Sequence, residues 1–202
     1  MVFVEVVKID GSKGRYFGTG FFVSYNRLLT AGHIVHPDIK YKSMVIRISL
    51  PGLSKVDSEK LAKATIPSVK CNVVDKLYVP KSDLNLYLDL AILDSGNFTL
   101  PTKHLLNLNS TTPSHKSTIS VIGYPHYISV PWIEEHEGLT DDGIKARNEA
   151  EALFPPGHLT LTRGVIHDSR QQTFQYNIST CPGMSGGCVL QGGKVVGEIL
   201  NS

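Results

Sequence analysis

The chain reads as an all-β protein of two six-stranded antiparallel barrels packed side by side. Short apolar or alternating runs recur along its 202 residues, with Gly, Pro, Asn and Ser between them. They fall into six before and six after a Gly96- and Pro101-containing crossover between Leu93 and Leu105. Only two segments break the pattern.

The first run, Val2 to Ile9, is rich in β-branched residues and is interrupted by Glu5 and Lys8. No basic region precedes it and no small-residue cleavage site follows closely, so it reads as a strand and not as a signal peptide. Further strands are expected near 16–24, 27–32, 44–50, 69–79 and 88–94. A second set follows near 104–109, 117–124, 158–168, 172–179, 186–191 and 194–200. The division this implies is an N-terminal barrel over 1–98 and a C-terminal barrel over 99–202. Residues 51–68 are loop-like, with a short helix expected over Asp57–Ala64. The other break, 126–157, carries seven acids against Lys145 and Arg147, a net of −5, which leaves +7 for the rest of a chain whose total is +2. It also holds the only tryptophan, Trp132, and a helix is expected from Thr140 to Leu153, capped by Thr140 or Asp141. A solvated acidic loop is the plain reading of this insertion, and a lid or a docking element for a regulatory partner is the other.

Composition is that of an ordinary globular domain, 41% hydrophobic and 19% charged. A net charge of +2 gives no argument for nucleic acid, and no apolar run reaches membrane-spanning length. Three cysteines, Cys71, Cys181 and Cys188, do not make a disulfide framework. They point to a reducing, intracellular setting. No ligand spacing suggests a metal, and no cofactor is called for.

Chemistry concentrates in three places. In Ser179-Thr180-Cys181-Pro182-Gly183-Met184-Ser185-Gly186-Gly187, glycines flank a serine. Such a loop can aim the N–H groups of Gly183 and Ser185 at one point, where an oxyanion would be stabilised. Leu28 to Val35 is an apolar strand ending on Ala31-Gly32 that delivers His33. Leu86 to Leu93 is apolar except for Asp89, whose buried carboxylate requires donors. An imidazole N–H is one such donor, and its other nitrogen can take a proton from a serine. His33, Asp89 and Ser185 then supply base, orienter and nucleophile. The competing residues lack this context. Asp83 lies in the polar turn Lys81-Ser82-Asp83, and Asp94 precedes the turn Ser95-Gly96. His36 does not follow a strand, and Ser179 has no flanking glycines. Cys188, in a strand, reads as a small apolar side chain, whereas Cys181 is open between that role and redox control.

The order His, Asp, Ser resembles that of the trypsin/chymotrypsin-like serine peptidases. The segments Gly18-Thr19-Gly20-Phe21-Phe22-Val23, Thr30-Ala31-Gly32-His33, Asp89-Leu90-Ala91-Ile92-Leu93, Gly123-Tyr124-Pro125, Arg163-Gly164-Val165-Ile166, Pro182 to Gly187 and Val195-Val196-Gly197 are similar to the family's, in its order. The likeness is in particular to the disulfide-free branch that includes HtrA-type and glutamyl-endopeptidase-type enzymes. The resemblance implies a double barrel with the site in the cleft between halves, a protein or peptide substrate, and the 126–157 insertion bordering that cleft. It also implies a primary pocket lined by Ser179, Thr180, Ile199 and Leu200. None of these is charged, so a neutral apolar or small residue is expected before the scissile bond. Met184 stands where animal zymogens carry an aspartate, so activation through an ion pair with a new N-terminus is not expected. Relatives continue past the Val-Val-Gly strand, whereas this chain stops at Ser202. A fragment, a differently closed fold, or a terminus lying in the cleft would each account for that. The leading reading is a serine endopeptidase. The alternatives are a catalytically silent binding module of protease fold and a self-processing domain of a longer polypeptide.

Overall fold

Period-two alternation decides which side chains meet. In a computed structural model describing residues 1–8, 15–35, 44–49, 68–79, 88–99, 102, 105–125, 141–169 and 174–199, Val2, Val4 and Val6 turn to one face of β1 (Val2–Lys8) and are fully buried. They pack with Phe22 of β2 (Arg15–Phe22), Leu28 of β3 (Arg27–Thr30) and Ala91 and Leu93 of β6 (Leu88–Asp94). With β4 (Met44–Ser49) and β5 (Ser68–Val79), these strands close a barrel in the order β1-β2-β3-β6-β5-β4. Closure leaves no unpaired edge in this half. All six expected N-terminal strands are present, within a few residues of their expected ends. The one local difference follows β3, where Gly32–Val35 forms a single 3₁₀ turn that carries His33.

The second half is an antiparallel sheet of order β11-β10-β7-β8-β9 among the described residues. Its strands are β7 (Thr118–Gly123), β8 (Thr160–Ser169), β9 (Phe174–Asn177), β10 (Cys188–Gln191) and β11 (Lys194–Glu198). Ile119, Val121, Ile166, Met184, Val189 and Ile199 form its core. The two sheets together make the all-β, chymotrypsin-like double-barrel architecture. The run expected at 104–109 is not a full strand. It contributes one parallel bridge, Leu108 to Val195, held by Asn109 N–H to Val195 O at 2.7 Å and Val195 N–H to Asn107 O at 2.8 Å. Leu108 is exposed and so gains little from extended pairing. The Asn109 side chain accepts from the Thr111 backbone N–H and hydroxyl, turning the chain there.

In the 126–157 insertion, α1 (Asp141–Leu153) matches the expected helix. Asp141 and Asp142 place negative charge on its first turn, where the helix dipole favours it. Thr140 and Trp132, like the helix expected over Asp57–Ala64, lie outside the described residues. Of the described helix, Gly143 is buried, while Ile144 and Leu153 are exposed.

Strand β2 joins the halves. Its alternation sends Phe22 into the first barrel and Phe21 the other way, onto Cys188 and Val195 of the second sheet. Leu106 N–H to Phe22 O, at 3.2 Å, and Thr19 N–H to Ser185 O, at 2.8 Å, tie the same strand to the second half. Replacing Phe21 by alanine removes a fully buried ring from this joint. The expected cost is about 3–5 kcal/mol, read as a lower urea midpoint with an unchanged slope.

Candidate active site

Asp89 is 2% exposed on an otherwise apolar strand. Its carboxylate is held by one residue twice. Oδ1 accepts the His33 backbone N–H at 2.6 Å, and Oδ2 faces His33 Nδ1 at 2.5 Å. The backbone bond places the His33 main chain, and the ring bond then sets the imidazole's rotation. Gly32 makes room for this grip, because a Cβ at that position would lie 3.0 Å from Asp89 Oδ1. With Nδ1 donating to a carboxylate, Nε2 is left as the basic nitrogen. The His33 side chain is 32% exposed, so that nitrogen is within reach of a ligand.

Ser185 is nearly buried, at 7% exposure, on a loop whose alternate peptides are clamped. Met184 N–H donates to Cys181 O at 3.0 Å and Gly187 N–H to Met184 O at 2.8 Å. Gly186 N–H donates to Ile199 O at 2.7 Å. The Thr19 hydroxyl donates to Gly183 O at 2.9 Å. The N–H groups of Gly183 and Ser185 donate to no protein acceptor among the described residues. Gly183 (φ 91°) and Gly186 (φ 78°) both occupy the left-handed region that side chains resist. At Gly186 there is no space either, because a Cβ would lie 2.6 Å from Ala31 N and from Thr30 Oγ1. That close approach sets the serine loop against the junction from which His33 projects. Ser185 Oγ and His33 form no hydrogen bond among the described residues; in unliganded enzymes this contact is often long and tightens on binding.

The remaining sequence candidates separate cleanly. Asp94 is structural, bound to Arg27 at 2.6 Å, Asn26 at 3.2 Å and the Gly96 N–H at 2.7 Å. Ser179 is exposed and Thr180 half-buried, open to a ligand. Ile199 has no exposed surface: its side chain belongs to the second core, and its backbone N–H donates to Gly187 O at 2.8 Å. Its backbone thus supports the serine loop from the segment expected to line the primary pocket. Leu200, Asp83 and His36 lie outside the described residues. Burial pushes the Cys181 and Cys188 thiols up to about 11 and Cys71 up to about 12. All three are free and buried. A protonated thiol is a poor nucleophile, so both cysteines beside Ser185 behave as small apolar side chains. Among the described residues no group of three or more His, Cys, Asp or Glu could hold a metal ion.

Two residues escaped the sequence reading. Thr19 was visible only as part of a motif. Glu198 breaks the apolar run Val195-Val196-Gly197-Glu198-Ile199 just as Asp89 breaks its own, and that signal could have found it. Both of its carboxyl oxygens are buried without a hydrogen-bond partner among the described residues. Desolvation, and next the charge of Asp89, push its pKa well above the carboxylate range.

The sequence pattern of the trypsin-like peptidase domain matches residues 18–197. The chain belongs to the trypsin-like peptidase family. This peptidase is similar in fold to the crystal structure of Deg5, at 17% identity and TM-score 0.58, covering 100% of this chain and 78% of that one. It is also similar to the Rv3671c protease of M. tuberculosis. The active form matches at 18% identity and TM-score 0.59, over 100% of this chain and 69% of that one. The inactive form matches at 18% identity and TM-score 0.55, over 99% and 77%. No curated protein matches the sequence. Family membership makes the protein a serine protease.

Glu198 gives this peptidase a pH-dependent stability cost. Unfolded, the carboxyl ionises near 4.5; folded, it holds its proton to a much higher pH. Its contribution to folding is therefore complete below the unfolded value and is lost as pH rises towards the folded one. Glu198→Gln removes the ionisation. Its melting temperature should match wild type near pH 4 and exceed it increasingly towards pH 8, by about 2–4 °C for each kcal/mol. Calorimetry across that range checks the divergence.

Proposed function

We propose that the protein is an endopeptidase acting through His33, Asp89 and Ser185. The observation that carries this is the double grip of Asp89 on His33, which leaves Nε2 as the proton acceptor. As Ser185 Oγ attacks a peptide carbonyl, Nε2 takes its proton. Asp89 holds the tautomer and stabilises the imidazolium, and His33 then delivers the proton to the leaving amine. The oxyanion of each tetrahedral intermediate sits against the N–H groups of Gly183 and Ser185, which have no protein acceptors among the described residues. Each such donor is worth about 2.7–4 kcal/mol in the transition state. Water, activated by the same imidazole, releases the acyl group.

The substrate is a protein or peptide. Uncharged Ser179 and Thr180 favour a neutral apolar or small residue before the scissile bond. His33 and Asp89 belong to a half spanning 1–98 and Ser185 to one spanning 99–202, so the substrate lies between them. The exposed acidic turn of α1 suits a docking element for a regulatory partner. Three free thiols support a reducing compartment, and no described helix is long and apolar enough to cross a membrane. The second reading is a peptide-binding module of the same fold that does not turn over.

A fluorophosphonate probe decides between them. It should label the wild type once per chain and leave Ser185→Ala unlabelled, while Asp89→Asn should lower turnover about 10⁴-fold. A folded wild type that takes no label supports the binding module. Peptide-library profiling should show apolar or small residues before the cut, and cleavage after basic or acidic residues would refute the pocket assignment.

A further inference from the structure

We infer that Thr19 is the positioning residue of the oxyanion loop, and this rests on the role proposed above for the Gly183 and Ser185 N–H groups. Thr19 is 0% exposed, and every polar group it owns is committed across the molecule. Its backbone N–H donates to Ser185 O at 2.8 Å. Its carbonyl accepts the Thr30 hydroxyl at 2.8 Å. Its own hydroxyl accepts the Tyr124 N–H at 2.8 Å and donates to Gly183 O at 2.9 Å.

The pattern on the loop is alternate. The peptide joining Gly183 to Met184 is fixed at both ends, its carbonyl by Thr19 and its N–H by Cys181 O. The peptide joining Ser185 to Gly186 is fixed the same way, its carbonyl by the Thr19 N–H and its N–H by Ile199 O. The Pro182–Gly183 peptide before them and the Met184–Ser185 peptide between them present the N–H groups of Gly183 and Ser185, which have no protein acceptor among the described residues. One residue of β2 thus clamps the two peptides that flank and separate the two donors. The direction of its hydroxyl is set too. With the Tyr124 N–H donating to Oγ1, the hydroxyl proton is directed to Gly183 O.

Glycine at 183 makes the clamp necessary. At φ 91° with no side chain, this residue can rotate more easily than one carrying a Cβ, and rotation would swing an N–H away from the oxyanion. Thr30 extends the clamp towards His33, because the residue that braces the Thr19 carbonyl ends the strand delivering the histidine. A γ-methyl in place of the hydroxyl would fill the same space and keep the two backbone bonds, but could neither donate to Gly183 O nor accept from the Tyr124 N–H.

Thr19→Val keeps the shape and removes the hydroxyl; Thr19→Ser keeps the hydroxyl and removes a methyl. On a peptide ester, Thr19→Val should lower kcat about 10–10³-fold, up to the loss of one oxyanion donor, with KM within about twofold. Inhibition by a peptide aldehyde, which forms a tetrahedral adduct, should weaken in proportion to kcat. Inhibition by the unreactive peptide product should not change. Thr19→Ser should retain kcat within about threefold. If the valine variant does not fold, Thr19→Cys, with a weak S–H donor of similar size, should show the same split. Wild-type kcat in a folded Thr19→Val, or equal losses in the serine and valine variants, would overturn the assignment. Amide NMR separates this from failure of the catalytic reading. If the wild type proves inactive, the Gly183 and Met184 signals must still shift or broaden in Thr19→Val while those of β1 hold, and unchanged loop signals refute the clamp.

Discussion

Everything at the site depends on the burial of one carboxylate. Asp89, 2% exposed, would be costly in an apolar barrel wall without charge-compatible donors. Both of its bonds to His33 come from the 3₁₀ turn after β3, so satisfying the charge also positions the proposed base. Pairing of β3 with β6, Thr30 opposite Ala91, brings that turn beside Asp89. The barrel register and the site geometry are consequently one constraint. A slip of one residue would turn Asp89 out of the turn's reach and its apolar neighbours out of the core.

The second constraint acts across the halves. The catalysis proposed for a serine and a histidine from different sheets requires a joint stiffer than a flexible linker. Here it is built from β2, whose alternate side chains serve both cores and whose Thr19 serves the serine loop. Gly186 fits against Ala31 and Thr30 only because it lacks a side chain. Met184, fully buried beneath the loop, fills with apolar volume a place where a charged residue would need a partner.

Much of this was legible before any coordinates. A β-branched run marked β1, and the helix at 141–153 was announced by its candidate caps, Thr140 and Asp141. His33, Asp89 and Ser185 stood out because each contradicts its surroundings: a charge in a strand, an imidazole after small residues, a serine among glycines. What was not legible follows from chemistry that sequence does not show. The run at 104–109 alternates well enough, yet an asparagine side chain ends it after a single bridge. The full burial of the Ile199 side chain depends on how the chain leaves β11, which the sequence does not show. Thr19 carries no anomaly in sequence, since threonine in a strand is ordinary, and its importance appears only with its four partners. Glu198 was legible and was passed over.

The measurement that bears most directly on this account is a pre-steady-state burst with a peptide active ester, followed by intact-mass and peptide mapping. A competent centre predicts a burst approaching one equivalent and an acyl group on Ser185, absent from Ser185→Ala and strongly slowed in Asp89→Asn. A folded, peptide-binding wild type that shows no burst and carries no acyl group would contradict it.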